Sequence, residues 1–390
     1  MPSIKKIALI GSTGSIGRST LDVISGHPDR LRIEVLAAHS NVELLATQYR
    51  QFRPSIVAVA DQSKESELRR LLAGESVTVV SGEEEIIKLA GLSQVETVVN
   101  AIVGAAGLRT SLETLRHGKS LALANKESLV AGGPLFAPIL ERHGGMILPI
   151  DSEHSAVWQC LMAGNRNEVR RIILTASGGP FRSLPFEQFG TITLEQALNH
   201  PTWKMGNKIT IDSATLANKG LEVIEAVALF GFPADAVSVV IHPQSIVHSM
   251  VEYNDSSILA QMSKPDMRLP ISYALFWPER VESDYGRLDI AQLSQLTFEA
   301  PDMVKFPALR LAFEAAKAGG TAPAIYNAAN EAAVQAFVAR SIQFTQIAGC
   351  IEHALSTIAV TTTPGLEQIL LADRMAREAV TEMTGTHTAC

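Results

Sequence analysis

The stretch IALIGSTGSIGRST, residues 7–20, combines an apolar run, three glycines spaced three apart, and residues suited to start a helix. A strand, then Gly11-x-x-Gly14-x-x-Gly17, then a helix is a spacing variant of the dinucleotide-binding fingerprint. In that reading Gly11 permits the tight turn, Gly14 lets a pyrophosphate approach the backbone, and Gly17 lets the helix pack on the strand. The free N–H groups at the helix start would face the phosphates. The plain alternative is a ligand-free turn, and the strand–loop–helix context favours the cradle.

Working outward, the runs IKKIALI, RIEVLAA, SIVAVA, VTVV, ETVVNAI, SLALA and GMILPID alternate with helical patterns as far as residue 150. That alternation predicts an α/β, Rossmann-type parallel sheet covered by helices. From residue 151 the texture shifts to longer loops with strands such as RRIILTAS and AVSVVIHPQSIVHSMVEY. This predicts a central α/β domain over 151–278, followed by a linker arm over 279–303. Residues 304–390 carry helical periodicity, with Gly319-Gly320 as a helix stop, and are expected to form a helical bundle.

Composition narrows the function classes. With 46% hydrophobic and 19% charged residues the chain has globular composition, and no apolar run is long enough for a membrane span. A net charge of −7 argues against a general nucleic-acid binder. Cys160, Cys350 and Cys390 are scattered and odd in number, so neither a disulfide framework nor a thiolate metal site is expected. The apolar run before Gly11 is too short for a secretory signal, and a cytoplasmic location is the expectation.

The second strand ends in His39-Ser40-Asn41, where an acid would accept from the ribose 2′-OH of NAD. Three neutral polar groups, one able to become cationic, favour NADP(H). Glu34 lies earlier in the strand and is expected at the surface. Further on, Asp151-Ser152-Glu153 projects two carboxylates from a strand end. They suit a hard divalent cation, or equally a helix cap with an acid in the first turn. Ser213, Asn218, Lys219 and Glu222 fall within ten residues, the last three on roughly one helix side, a pattern suited to an anionic, oxygen-rich ligand beside a metal. Glu225 is expected to be a solvated helix residue. Asn125-Lys126-Glu127 closes a strand, and Lys126 reads as a phosphate contact or as a surface lysine. Ser177-Gly178-Gly179 could hold phosphate through its amides and hydroxyl. His200, Trp203 and Gly206 sit in an aperiodic loop where Trp203 is a lid or a satellite core residue.

In order, GSTGSIG, AIVGAAGL, LANKESLV, PIDSEHSA, SGGPF, HPTWKMG, DSATLANKGLEVIEA, HPQSIVHSMVEY, KPDMRLPI and NAANEAAV closely resemble the 1-deoxy-D-xylulose 5-phosphate reductoisomerase family, across residues 4–360. The resemblance implies an NADPH enzyme of the methylerythritol phosphate route to isoprenoid precursors, working as a homodimer on a small sugar phosphate. It implies that Asp151, Glu153 and Glu222 hold Mg²⁺ or Mn²⁺, with Co²⁺ a third option, and that Lys126 acts with them in catalysis. Substrate contacts fall to Lys126, Ser152, Glu153, Ser177, His200 and Trp203, then to Ser213, Asn218, Lys219, Glu222, Ser245 and Met267. Cofactor contacts fall to Gly11, Thr13, Gly14, Ser15, Ile16 and Gly17, to the His39-Ser40-Asn41 tip, and to Ala101, Asn125, Glu127 and Gly206.

Two departures stand out. Many relatives have Gly-Lys/Arg/Ser-Asn at the second strand's tip, so this chain lacks both the glycine and a fixed cation there, which weakens the 2′-phosphate contact or leaves it to His39. The block from Trp158 to Arg171 is also short for the family, a surface-loop deletion. The competing readings are an unrelated two-domain NADP-dependent dehydrogenase and a non-catalytic NADP-binding regulator. A semialdehyde dehydrogenase would need a nucleophilic cysteine, and neither Cys160 nor Cys350 has a supporting base nearby in sequence. A regulator would leave the acid, serine and lysine cluster unexplained.

Overall fold

The structure, a computed structural model, describes residues 4–199 and 206–385. The alternation expected over the first 150 residues is present strand for strand. β1 (Lys5–Ile10), β2 (Leu31–Ala38), β3 (Ile56–Val59), β4 (Thr78–Ser81), β5 (Thr97–Asn100), β6 (Ser120–Leu123) and β7 (Met146–Pro149) form one sheet. Between them run α1 (Ser15–Ser25), α2 (Val42–Phe52), α3 (Glu65–Leu71), α4 (Glu83–Leu89), α5 (Leu108–Arg116) and α6 (Lys126–His143). Every strand pair is parallel, in the order β4-β3-β2-β1-β5-β6-β7. Winding reverses between β1 and β5, which opens a crevice at the carboxyl ends of those strands, where such folds bind ligands.

The chain continues through α7 (Ser152–Leu161), β8 (Val169–Ala176), α8 (Leu194–Ala197), α9 (Asn207–Ala214) and α10 (Ala217–Phe230). β9 (Val237–Ile241), β10 (Val247–Tyr253) and β11 (Ile258–Met262) join β8 in a mixed sheet of order β11-β10-β8-β9. After α11 (Arg268–Phe276) come α12 (Pro307–Ala318), α13 (Ala322–Val338), α14 (Gln346–Thr357) and α15 (Leu366–Thr384). Gly319 does stop α12: at φ +64° its N–H donates to Ala315 O.

Two compact units result. The first comprises Met1–Ser128, Leu135–Ser155 and Asp266–Tyr285; the second comprises Leu129–Pro134, Ala156–Pro265 and Gly286–Cys390. This division differs from the expected boundaries at 150, 278 and 303, and the reasons are specific. α11 returns to the first unit, where Arg268 pairs with Asp22 of α1 at 2.9 Å, Lys5 Nζ donates to Leu275 O at 2.6 Å, and His27 meets the Phe276 ring edge-on. In the second unit a single core runs from Ile172 and Leu174 of β8 through Val223 of α10 to Tyr326 of α13 and Val380 of α15. The C-terminal helices therefore share their core with the mixed sheet. Gly220 shows how closely they pack, since a Cβ there would lie 2.6 Å from Ala312 Cβ and 2.7 Å from Tyr326 Oη.

Candidate active site

In the first unit, the glycine loop lies at the β1/β5 reversal. Gly11 has φ +90°, and a Cβ on it would lie 2.5 Å from Ala101 O, so only glycine lets the loop pass the end of β5. A Cβ on Gly17 would lie 2.3 Å from Gly11 O, which fixes α1 tight against the loop. Gly14 and Ser15 are exposed, and α1 starts with neither a side-chain cap nor an acid in its first turn. An uncapped helix start of this kind offers open N–H groups to an anion. Thr13, Ile16 and Ala101 are half-buried around it.

His39 and Ser40 are exposed at the end of β2, and the Asn41 side chain accepts from Leu44 N–H as the cap of α2. An acid that the strand tip itself lacks stands nearby. Asp61 N–H donates to His39 O at 2.9 Å, and the Asp61 carboxyl is held low, first by the Ser63 hydroxyl and N–H and in part by His39. Glu34, expected at the surface, is instead buried, and Ser55, just ahead of β3, donates to it at 2.5 Å.

Asn125 caps α6 and donates to Gly104 O at 2.7 Å and to Glu127 at 3.1 Å, so AIVGAAGL and LANKESLV meet at one point. Lys126 is buried and ion-paired with Asp151, which excludes the surface-lysine reading. One oxygen of Asp151 and one of Glu153 lie within 4.8 Å of each other, and Ser152 Oγ donates to Glu153. Burial opposes ionisation of Asp151, but Lys126 and then His154 outweigh it and hold the carboxyl well below the usual carboxylate range. Met267 lies half-buried at the start of α11 in the same unit.

The second unit gathers the remaining candidates. Gly179, at φ +67°, approaches so closely that a Cβ would lie 2.6 Å from Ser213 O, which brings the Ser177 turn against α9. Ser177 Oγ accepts from Gly179 N–H at 3.3 Å. On α10, Glu222 is fully buried; Asn218 donates to it at 2.5 Å and Lys219 pairs with its other oxygen. Glu225, expected to be solvated, is 1% exposed: α10 is buried along this face, so the base rate for glutamate fails. Ser245 is buried at φ +51°, a left-handed conformation rare for serine, with its N–H on His242 O. Gly206 is the exposed N-cap residue ahead of α9. His200 and Trp203 lie outside the described residues.

The sequence pattern of 1-deoxy-D-xylulose 5-phosphate reductoisomerase matches residues 7–133, and those of its two C-terminal domains match 147–230 and 262–379. The chain belongs to the 1-deoxy-D-xylulose 5-phosphate reductoisomerase family. The reductoisomerase of Chlorobaculum tepidum is 50% identical over 98% of this chain and 100% of its own, and that of Crocosphaera subtropica 51% over 97% and 96%. The solved reductoisomerase of Zymomonas mobilis in complex with NADPH superposes with a TM-score of 0.93, at 44% identity over 99% of this chain and 100% of its own. A reductoisomerase solved with NADPH, fosmidomycin and magnesium gives 0.93 at 42% identity, covering 98% of each chain.

Three residues around these family motifs escaped the sequence reading. Asn100, fully buried at the end of β5, donates to Gly107 O at 2.9 Å and Ser111 Oγ at 2.8 Å. Asn330 of α13 donates to the buried Asp212 at 2.8 Å, next to Ser213. Gln48 of α2 grips Ser12 in the glycine loop. Each is a polar residue at an apolar position of its element's periodicity, the one signal that could have found it.

Proposed function

We propose that this chain is a metal-dependent NADPH enzyme that rearranges 1-deoxy-D-xylulose 5-phosphate and reduces it to 2-C-methyl-D-erythritol 4-phosphate. The family match along nearly the full length of both chains carries the reading. The residues fit both helpers. An exposed, uncapped helix start at a reversal of sheet order suits a pyrophosphate, and the ionised Asp151 beside Glu153 supplies hard oxygen donors. When bound, the cation supplies Lewis-acid polarisation of substrate oxygens and NADPH supplies the hydride.

In this reading Asp151, Glu153 and Glu222 hold the Mg²⁺ or Mn²⁺. Lys126 keeps an ammonium beside Asp151, where it stabilises negative charge developing on the substrate. Ser177, Ser213, Asn218 and Lys219 bind the phosphate, so binding energy remote from the reacting carbons orients them. Asn218 and Lys219 also hold Glu222 in place, which ties phosphate site and metal ligand to one helix turn. The first unit serves the cofactor and the second carries most substrate contacts. Trp203 closes the site against water. The chain works in the cytoplasm as a homodimer, a state supported by β11, an edge strand that no strand among the described residues covers and where Ile258 and Leu259 are exposed. No helix among the described residues is long and apolar enough to cross a membrane.

The test is NADPH oxidation with 1-deoxy-D-xylulose 5-phosphate, with and without Mg²⁺. Turnover without metal overturns the three-carboxylate assignment. Glu222→Gln should lose about a hundredfold or more in kcat, the scale of removing one charge-stabilising group, while NADPH still binds. Wild-type turnover in that variant would contradict its role.

A further inference from the structure

Ser12, between the first two glycines of the loop, is fully buried, yet it carries three polar groups. Its N–H donates to Ala37 O at 2.8 Å. Its other two groups go to one side chain on another helix: Ser12 Oγ donates to Gln48 Oε1 at 2.7 Å, and Gln48 Nε2 donates to Ser12 O at 2.9 Å. Gln48 is only 5% exposed. A primary amide used at both ends has its orientation fixed, because swapping its oxygen and nitrogen would set the amide oxygen against the Ser12 carbonyl, acceptor to acceptor.

Gln48 also has a position along α2 that matters. Asn41, which caps the same helix, is seven residues earlier, about 10 Å along the axis at 1.5 Å per residue. His39 and Ser40 lead directly into that cap. One helix therefore holds the glycine loop near its middle and the β2 tip at its start. Affinity at an anion cradle depends on N–H groups being in place before the ligand arrives, since a loop that must be ordered on binding spends affinity on ordering. That dependence is greater in a chain with no lysine or arginine at the β2 tip.

We propose that Gln48 is a positioning residue for the cofactor: it fixes the Thr13-Gly14-Ser15 turn and its spacing from His39-Ser40, and so sets how tightly this chain holds NADPH. The inference rests on reading the loop as the NADPH cradle. Removing the amide leaves the Ser12 carbonyl and hydroxyl buried without partners, and the loop can satisfy them only by moving. Gln48→Glu is more disruptive, because it sets a carboxylate against the Ser12 carbonyl.

The experiment measures the NADPH dissociation constant of the free protein by fluorescence titration, together with melting temperature and steady-state KM for both substrates. Gln48→Ala should raise the NADPH Kd about tenfold, the scale of one buried hydrogen-bonding group left unpaired, and raise KM for NADPH with it. KM for the sugar phosphate should stay within twofold. Gln48→Glu should bind more weakly than Gln48→Ala, and Ser12→Ala should lose less than either. Ser15→Glu, which puts a carboxylate at the open helix start, tests the cradle itself. If it leaves Kd unchanged, the cradle reading and the inference both fall. If Ser15→Glu weakens binding while Gln48→Ala lowers only the melting temperature, Gln48 is a packing lock and the inference alone fails. Should Gln48→Ala not fold, Gln48→Met fills similar volume without the amide and carries the same comparison.

Discussion

At the scale of single residues, one methyl group separates two glycines that look equivalent in the motif. A Cβ on Gly17 would meet backbone atoms of Gly11 and Ser12 at 2.3 and 2.6 Å, and backbone has no rotamer with which to escape. A Cβ on Gly14 meets only Gly11 O, at 3.4 Å, an ordinary contact. Gly17→Ala should therefore destabilise the fold by on the order of 1–3 kcal/mol, an overpacking cost. Gly14→Ala should leave folding stability nearly unchanged and weaken NADPH, because the exposed side of that residue is where phosphate has to approach. Urea denaturation and NADPH titration of the pair check this; equal stabilities would contradict the packing account. Cysteine gives a second residue-scale test. Burial pushes the Cys160 thiol up to about 11, and burial raises Cys350 as well. At pH 8 both are then almost wholly in the unreactive thiol form. Neither should be alkylated by iodoacetamide in the native protein, by peptide mapping, and both should label once the chain is unfolded.

At the scale of elements, legibility followed burial pattern. The seven strands of the parallel sheet read clearly because helices cover both faces, which leaves continuous apolar runs such as Ile7–Ile10 and Val35–Ala38. β11 did not read as a strand, since its residues Ile258–Ala260 are exposed at a sheet edge and carry no alternation. The acids were the least legible. Glu34, Glu225 and Asp212 are buried against base rate, and Ser55 and Asn330, which donate to Glu34 and Asp212, lie 21 and 118 residues away. The departure at the His39-Ser40-Asn41 tip was legible, whereas Asp61 beside it was not, because only the pairing of β2 with β3 brings it there. Asn330 turns this into a prediction. It reaches from α13 to α9, where Lys208 also pairs with Asp212 at 2.8 Å. Asn330→Ala removes a donor from a carboxylate that is 1% exposed, at a cost of about 1–3 kcal/mol. Asn330→Asp should cost more, since it sets two carboxylates together. Chemical denaturation orders the two variants, and a harmless Asn330→Asp would overturn the account.

At the scale of the whole molecule, the mixed sheet has two edges treated differently. On the β9 side, Ile241 and Glu299 exchange backbone hydrogen bonds at 2.8 and 2.9 Å, so the expected linker, which contains Glu299, covers that edge at Ile241. On the other side, among the described residues, β11 pairs only with β10, and Ile258 and Leu259 are 50% and 37% exposed. An uncovered apolar edge strand is a template for pairing with another chain unless charge or proline blocks it, and the IleLeuAlaGlnMet sequence of β11 contains neither. A second copy of this chain is the partner that the family reading supplies, and a twofold pairing of edge with edge would be self-complementary. Light scattering on the purified protein should therefore give twice the chain mass. Leu259→Lys combined with Ala260→Pro places a charge and removes a backbone donor on that edge, and should shift the population to monomer with the fold intact by circular dichroism. A wild-type protein that runs as a monomer at working concentration would exclude the edge as an interface, and a double variant that stays dimeric would move the interface elsewhere.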